Sequence, residues 1–385
     1  MNIDEKIETI FQPISELITS VIFGSFLAYE TNIPFIVVWL VFASLFFTFY
    51  FNFVNIRFFK RAVMVARGKF DKPSDPGEVS HFQSFTAAMS GTIGLGNIAG
   101  VAVAISIGGP GATLWMIITA FFGMTLKFVE VSLGHKYRII HEDGTVSGGA
   151  IRYLSRGLEE CGYKNFGKVL ALFFAICCIG GSFGGGNMFQ ANQSYELFGK
   201  LIGIPDYLYG ILLAILVAIV IIGGIKRIGQ TTEKIVPLMV VLYVGASLFI
   251  ILTNLDKLPG VLNSIISQAF TPEAGYGGFI GVLVTGIKRA VFSNEGGVGS
   301  ASIAHSAAKT DEPVREGIVA MIGPFIDTIV VCFMTASVIL ITKDSNPLYQ
   351  VGGGINGAEL TSAAFGSAIS WFPLILSIVV FLFSF

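Results

Sequence analysis

In this chain of 385 residues, 53% are hydrophobic and 13% are charged, against about 25% charged in soluble domains, so a water-soluble globular fold is excluded. The mean hydropathy of +0.76 and the 35 phenylalanines point instead to an all-α polytopic membrane protein. A net charge of −1 leaves no basic footprint for nucleic acid.

The first 16 residues, MNIDEKIETIFQPISE, are polar and amphipathic, unlike the basic start and apolar core of a cleavable signal peptide. A membrane span needs ~20 mostly apolar residues. That length places spans near 33–55, 82–107, 112–134, 166–196, 207–224, 234–253, 276–306 and 317–342. A last one starts near 366 and is still apolar at Phe385. The segments 166–196 and 276–306 are longer than the bilayer core, so tilt, a kink or an extension is expected. The final run WFPLILSIVVFLFSF carries no flanking charge, which leads us to expect further C-terminal spans beyond this numbering. Lysine and arginine set orientation. They crowd the loops around Arg57 to Lys72, Lys136 to Lys168, Lys226 to Lys234 and Lys309 to Arg315, whereas the other side holds only Lys6, Lys200, Lys257 and Lys343. The basic loops are therefore predicted to be cytoplasmic, with the N-terminus outside and the protein in the cell membrane.

Segment 82–107, FQSFTAAMSGTIGLGNIAGVAVAISI, holds glycines at irregular spacing, and VFSNEGGVGSASIAH (291–305) holds a second cluster. Glycine lowers helix stability by roughly 1 kcal/mol relative to alanine. Breaks at membrane depth are tolerated only where unwound backbone lines a protected cavity. The two broken spans lie five spans apart. That is the trace of an inverted five-helix repeat with two discontinuous helices, as in secondary transporters. The expected organisation is then 1–81 as amphipathic N-terminus, extra span and basic loop, 82–253 as the first repeat, and 254–385 as an incomplete second repeat of three spans.

Ser90, Thr92 and the run Gly94-Leu95-Gly96-Asn97 put hydroxyl, amide and bare backbone together. Freed N–H groups at the start of the following half-helix suit a carboxylate. Freed carbonyls, with the Asn97 amide oxygen and the Thr92 hydroxyl, suit a hard monovalent cation. The second break offers Ser293, Asn294, Glu295, Gly296 and Gly297, and its glycines favour a substrate of glycine or alanine size. Phe183, Asn187 and Gln190 share one helical face by spacing, which makes them cavity-lining or helix-joining. Trp371 reads as an interfacial anchor or as pocket lining. Lys127 and Glu130 are placed to pair with each other. Lys288 and Arg289 precede the second break, where they could neutralise Glu295 or Asp327; structural pairing is the preferred reading of each. Cys161, Cys177, Cys178 and Cys332 lack metal-ligand spacing. No HExxH, nucleophile elbow or P-loop occurs, so an enzyme is not expected, and nothing implies an obligate protein partner.

Several long blocks resemble the alanine or glycine:cation symporter family. They are GTIGLGNIAGVAVAISIGGPGATLWM (91–116), GMTLKFVEVSLGHKYR (123–138), GGNMFQAN (185–192) and SNEGGVGSASIAHSAAKTDEPVREG (293–317). The resemblance implies a LeuT-like fold and sodium-driven uptake of alanine or glycine; the order Gly94-Leu95-Gly96-Asn97 also resembles the first broken helix of LeuT, a known example of this site type. By the same resemblance the Gly94–Gly96 backbone would hold the substrate carboxylate. Asn97 and Ser293 would sit on sodium, and Phe292 or Phe183 would close over the substrate. A second sodium would lie between the Ser90 or Ile93 carbonyls and the last span, near Ser384. Proton coupling of the same fold, through Asp327 or Glu295, is the rival reading.

Overall fold

The computed structural model describes residues 31–270, 278–349 and 357–385, with 24–28 and scattered positions nearer the N-terminus. The amphipathic reading of the first 16 residues lies mostly outside the described residues, as does the 276 start of the seventh span. A two-stranded antiparallel ribbon, Ser25–Ala28 with Thr31–Pro34, leads into helix α1, Phe35–Tyr50. There follow α2, Phe59–Ala66; α3, His81–Thr92; α4, Gly96–Gly108; α5, Ala112–Lys136; and α6, Lys164–Ile202. Next come α7, Asp206–Ile221; α8, Gly224–Thr253; the short α9, Leu258–Gln268; α10, Gly278–Asn294; and α11, Ala301–His305. The chain continues through α12, Pro313–Ile341, α13, Gly357–Ala368, and α14, Phe372–Ser384. By length and apolarity α5, α6, α8 and α12 can each cross a bilayer, and α3 with α4 forms a fifth, broken span.

Several expected spans differ from this architecture, and the one expected at 207–224 is the 16-residue α7, shorter than a full crossing. The apolar run 33–55 yields a 16-residue helix, because Asn52 and Phe53 turn left-handed at φ 50° and 56°, a conformation that a helix cannot continue through. The span expected at 234–253 begins instead at Gly224, directly after a positive-φ turn at that residue. The boundary near 366 falls inside α13. Pro373, lacking an N–H, sits in the first turn of α14 and fits a helix that restarts there.

With lipid as solvent, helices associate through close packing and polar contacts rather than through hydrophobic exclusion. α5 is the central strut. A Cβ on Gly286 of α10 would lie 2.6 Å from the Ala112 carbonyl, and one on Gly317 of α12 would overlap the Ser132 hydroxyl. Glycine lets both helices sit directly against α5. Buried hydroxyls and amides add Thr48 to Thr125 at 3.0 Å, Asn55 to the Phe121 carbonyl at 2.9 Å and Tyr243 to Thr335 at 2.7 Å. α6 is different: Leu172, Phe173, Ile176 and Ile179 are all exposed, an apolar face suited to hydrocarbon.

At the end that carries the basic loops, the segments flanking the two breaks are tied together. Val79 bridges Ala308 in parallel, with Glu78 N–H donating to the Ala307 carbonyl at 2.8 Å and Lys309 N–H to that of Val79 at 2.8 Å. The Arg138 guanidinium donates to the carbonyls of Pro76, Ser306 and Ala308 at 2.6–2.8 Å.

Candidate functional site

α3 ends where Ile93 turns extended (φ −76°, ψ 100°), and α4 leaves at 50° to it. The turn strips helical partners from several backbone groups, and buried groups of that kind must be satisfied elsewhere. Gly94 N–H donates to Asn97 Oδ1 at 2.9 Å and Leu95 N–H to Gln190 Oε1 at 3.1 Å. Asn97 N–H returns to the Gly94 carbonyl at 3.1 Å, and Gln190 is steadied by donating to the Gly185 carbonyl at 3.2 Å. Ile93, Leu95 and Asn97 are fully buried. The two freed N–H groups therefore rest on side-chain amides, one local and one from α6.

The second break runs from Glu295 to Ser300, between α10 and α11. Glu295, Gly297 and Gly299 hold φ of 52°, 85° and 90°, angles that glycine adopts freely and other residues rarely. Asn294 Oδ1 accepts from Gly296 N–H at 2.9 Å while its amide donates to Thr328 at 3.1 Å. Glu130 Oε2 on α5 accepts from Gly299 N–H at 2.9 Å. Glu130 also lies 3.6 Å from Lys127, the pairing expected from their spacing.

Between the breaks sits Asp327 of α12, fully buried. Asn97 Nδ2 donates to Asp327 Oδ1 at 2.5 Å and reaches Ser293 Oγ at 3.1 Å. The Ser293 and Thr328 hydroxyls donate to Asp327 Oδ2 at 2.8 and 2.7 Å. Among the described residues no lysine, arginine or histidine forms an ion pair with Asp327; Lys127 pairs with Glu130 instead. Nor, among the described residues, does an ion pair join Lys288 or Arg289 to Glu295 or Asp327, the two carboxylates they could have neutralised. An isolated buried carboxylate is costly unless a cation or proton joins it, and intramembrane ionisable residues mark ion paths. The signal in the sequence was an aspartate deep in a span, followed by a threonine.

Of the residues expected at the site, Gly94, Leu95, Gly96, Asn97, Gln190, Phe292 and Ser293 come together. A Cβ on Gly94 would meet Gln190 Oε1 at 3.2 Å, and one on Gly96 would meet the Phe292 ring at 3.6 Å and Ser293 Cα at 3.5 Å. Phe189 packs edge-on to Phe292 with centroids 5.6 Å apart. Thr92 lines a narrow cleft with Lys127, Asn294 and His305. Gly296 lines a neighbouring one with Ser44 and Gly123. The Ser90 hydroxyl returns to the Ala87 carbonyl at 2.8 Å.

Four residues stand apart. Phe183 is 63% exposed because a wide turn at Gly184–Met188 shifts the helical register, so Phe183 and Gln190 do not share a face and Phe189 takes the position beside Phe292. Trp371 is also 63% exposed, next to Phe372 at the start of α14, and away from both breaks. Gly297 points toward Leu40 and Leu126. Ser384 hydrogen-bonds Ser194 of α6 at 2.9 Å, and its hydroxyl is directed there rather than to the break.

The profile of the sodium:alanine symporter family matches residues 17–385. The chain is 41% identical over 355 residues to the sodium/alanine symporter AgcS of Methanococcus maripaludis, covering 91% of this chain and 77% of that protein. It is 35% identical to the amino-acid carrier protein AlsT of Bacillus subtilis, over 92% of this chain and 74% of AlsT. It is also 35% identical to a B. subtilis protein named as a probable sodium/glutamine symporter, GlnT, over 91% and 71% of the two chains. Two broken helices meeting around a buried carboxylate, within a chain that matches the family from residue 17 onward, lead to one conclusion: the protein is a multi-pass membrane protein of the sodium:alanine symporter family.

Proposed function

We propose that the protein is a sodium-coupled symporter that imports alanine or glycine across the cell membrane by alternating access, with its N-terminus outside. The reading is carried by Asn97, whose amide joins the first break at Gly94 to Ser293, just before the second, and to Asp327 of α12. Sodium, as cargo, binds at the Asp327 carboxylate, which supplies the compensating charge, and the Ser293 hydroxyl, displacing the Asn97 amide N–H that occupies those oxygens here. The substrate carboxylate takes the backbone of Gly94 to Gly96 at the positive start of α4. There it displaces the Gln190 oxygen from Leu95 N–H, and Phe292 covers the substrate. Bare glycines facing Gln190 and Phe292 leave little room beyond a methyl group. Residues 82–253 and 254–385 act as two LeuT-like repeats of opposite orientation, rocking about this point.

Proton coupling is the second reading, because a buried carboxylate without an ion pair among the described residues can take a proton in place of sodium. One experiment addresses both: uptake of radiolabelled alanine into proteoliposomes under a sodium gradient, or under a proton gradient without sodium. Glycine and glutamine serve as competitors. Sodium-driven alanine uptake that glycine inhibits and glutamine does not is the expected outcome. Uptake driven by protons alone would replace sodium in the scheme, and glutamine as the preferred competitor would replace the substrate.

A further inference from the structure

Away from the ion site, three buried residues from three elements meet at the basic end. Glu316 lies in the first turn of α12, His81 opens α3 and His305 closes α11; the first two are fully buried and His305 is 2% exposed. His81 Nδ1 bonds one Glu316 oxygen, while His305 Nδ1 and the Ser84 hydroxyl reach the other at 2.5 and 2.7 Å. A capping box fixes where α3 starts, with the Ser80 hydroxyl accepting from Gln83 N–H and the Gln83 side chain accepting from Ser80 N–H, both at 3.2 Å. His81 is therefore presented to Glu316 by the helix terminus itself.

We propose that Glu316 is the positioning residue that latches the half-helices α3 and α11 at the basic end and so closes the ion site to that face. α3 is joined to α4 only through the bend at Ile93 to Leu95. α11 has five residues, too few to be stable as a helix alone. The Val79–Ala308 bridge ties the chain just before α3 to the chain just after α11, so the two half-helices form one body, and Glu316 holds that body to α12. A permanent junction would be at least as stable with apolar side chains. A carboxylate shared by two imidazoles suits a contact that must part, because all three groups are well solvated once water reaches them. Withdrawing α3 takes both the His81 and the Ser84 donors from a buried carboxylate, so that side of the contact opens as a unit. A hydrogen bond to a charged group is worth about one to two decades in an equilibrium constant.

The chain carries its own reporter. Cys332 is buried, 3.5 Å from Asn97 Nδ2 and 3.4 Å from Ser293 Oγ, so its thiol reads access to the ion site. With Cys161, Cys177 and Cys178 replaced by serine, a charged, membrane-impermeant methanethiosulfonate is applied to either face of oriented vesicles. Glu316→Gln and His81→Ala are expected to raise labelling of Cys332 from the basic face by about tenfold, with labelling from the opposite face unchanged. His81→Asn, whose amide nitrogen can stand where Nδ1 stood, is expected to stay near the parent rate. If Glu316→Gln does not insert, the two His81 variants carry the test. Labelling at the parent rate in His81→Ala, or a rise from both faces alike, would overturn the latch. The proposal rests on the transport reading, but the two fail separately: unchanged labelling with intact sodium-driven uptake sinks the latch alone, whereas a parent protein without uptake sinks the transport reading.

Discussion

The two breaks look alike in composition and differ in construction. The first is three residues long, fully enclosed, and capped by the amides of Asn97 and Gln190. The second spans six residues, is capped by Asn294 and Glu130, and leaves Gly297 and Val298 exposed. In the first break the glycines face Gln190, Phe292 and Ser293. In the second, Phe292 and Ser293, which precede the break, take that position, while Gly296 and Gly297 turn back toward α1 and α5 and Gly299 toward Phe174 of α6. Glycine thus has two jobs here: at Gly94 and Gly96 it leaves space, and at Gly297 and Gly299 it supplies backbone angles.

The sharpest way to break that comparison is at the carboxylate both breaks share. Asp327→Asn keeps the volume and removes the charge, so sodium-dependent uptake is expected to fall by about 100-fold or more, equivalent to ~2.7 kcal/mol. The solubilised protein is expected to unfold at the same or a higher temperature, because an uncompensated buried charge has gone. A sodium titration that matches the parent would remove Asp327 from the ion path.

Asn97→Ala comes next. It orphans Gly94 N–H and strips a donor from Asp327, each a buried group whose lost partner costs ~1–3 kcal/mol. Thermal unfolding is expected to fall, and sodium to restore it only at higher concentration than in the parent. Loss of stability with an unshifted sodium requirement would make Asn97 a cap for the break and nothing more.

Both breaks were legible because glycine clusters are local, countable features. The side chains that satisfy them were only partly so. Gln190 was found by helical spacing, yet the same spacing wrongly brought Phe183 with it, since a wide turn at Gly184–Met188 leaves no mark on a 3.6-residue period. Asp327 was visible as an ionisable residue at depth. That it lacks an ion pair among the described residues depends on where Lys127, Lys288 and Arg289 point, which is tertiary information. The direction in which Gly297 faces follows from the path of an irregular loop, and no periodicity reports that path. The early end of α1 lies in Asn52 and Phe53, whose left-handed turn an apolar run conceals.

Gly94→Ala sharpens the contrast from the first break. The added methyl would lie 3.2 Å from Gln190 Oε1, in the space assigned to the substrate. Alanine binding is expected to weaken more than glycine binding, within the roughly 10–200-fold range by which one methyl is discriminated in a tight pocket. Competition of each against labelled glycine measures the ratio. Equal loss of both would point to a displaced Gln190 rather than to lost volume.

Gly297→Ala is expected to have the smallest effect, and of a different kind. Its Cβ would point at Leu40 Cδ2, 2.9 Å away, and Leu126 Cδ1, 3.1 Å away, which are flexible side-chain ends on α1 and α5 that can yield. The remaining cost is the backbone angle, φ 85°, which for a residue with a Cβ amounts to roughly 1–2 kcal/mol. Thermal stability is therefore expected to drop modestly, while the ratio of alanine to glycine affinity stays at the parent value. That outcome separates a glycine kept for conformation from one kept for space. If Gly297→Ala changed the ratio as Gly94→Ala does, the second glycine cluster would face the substrate after all, and the division of labour between the two breaks would fall.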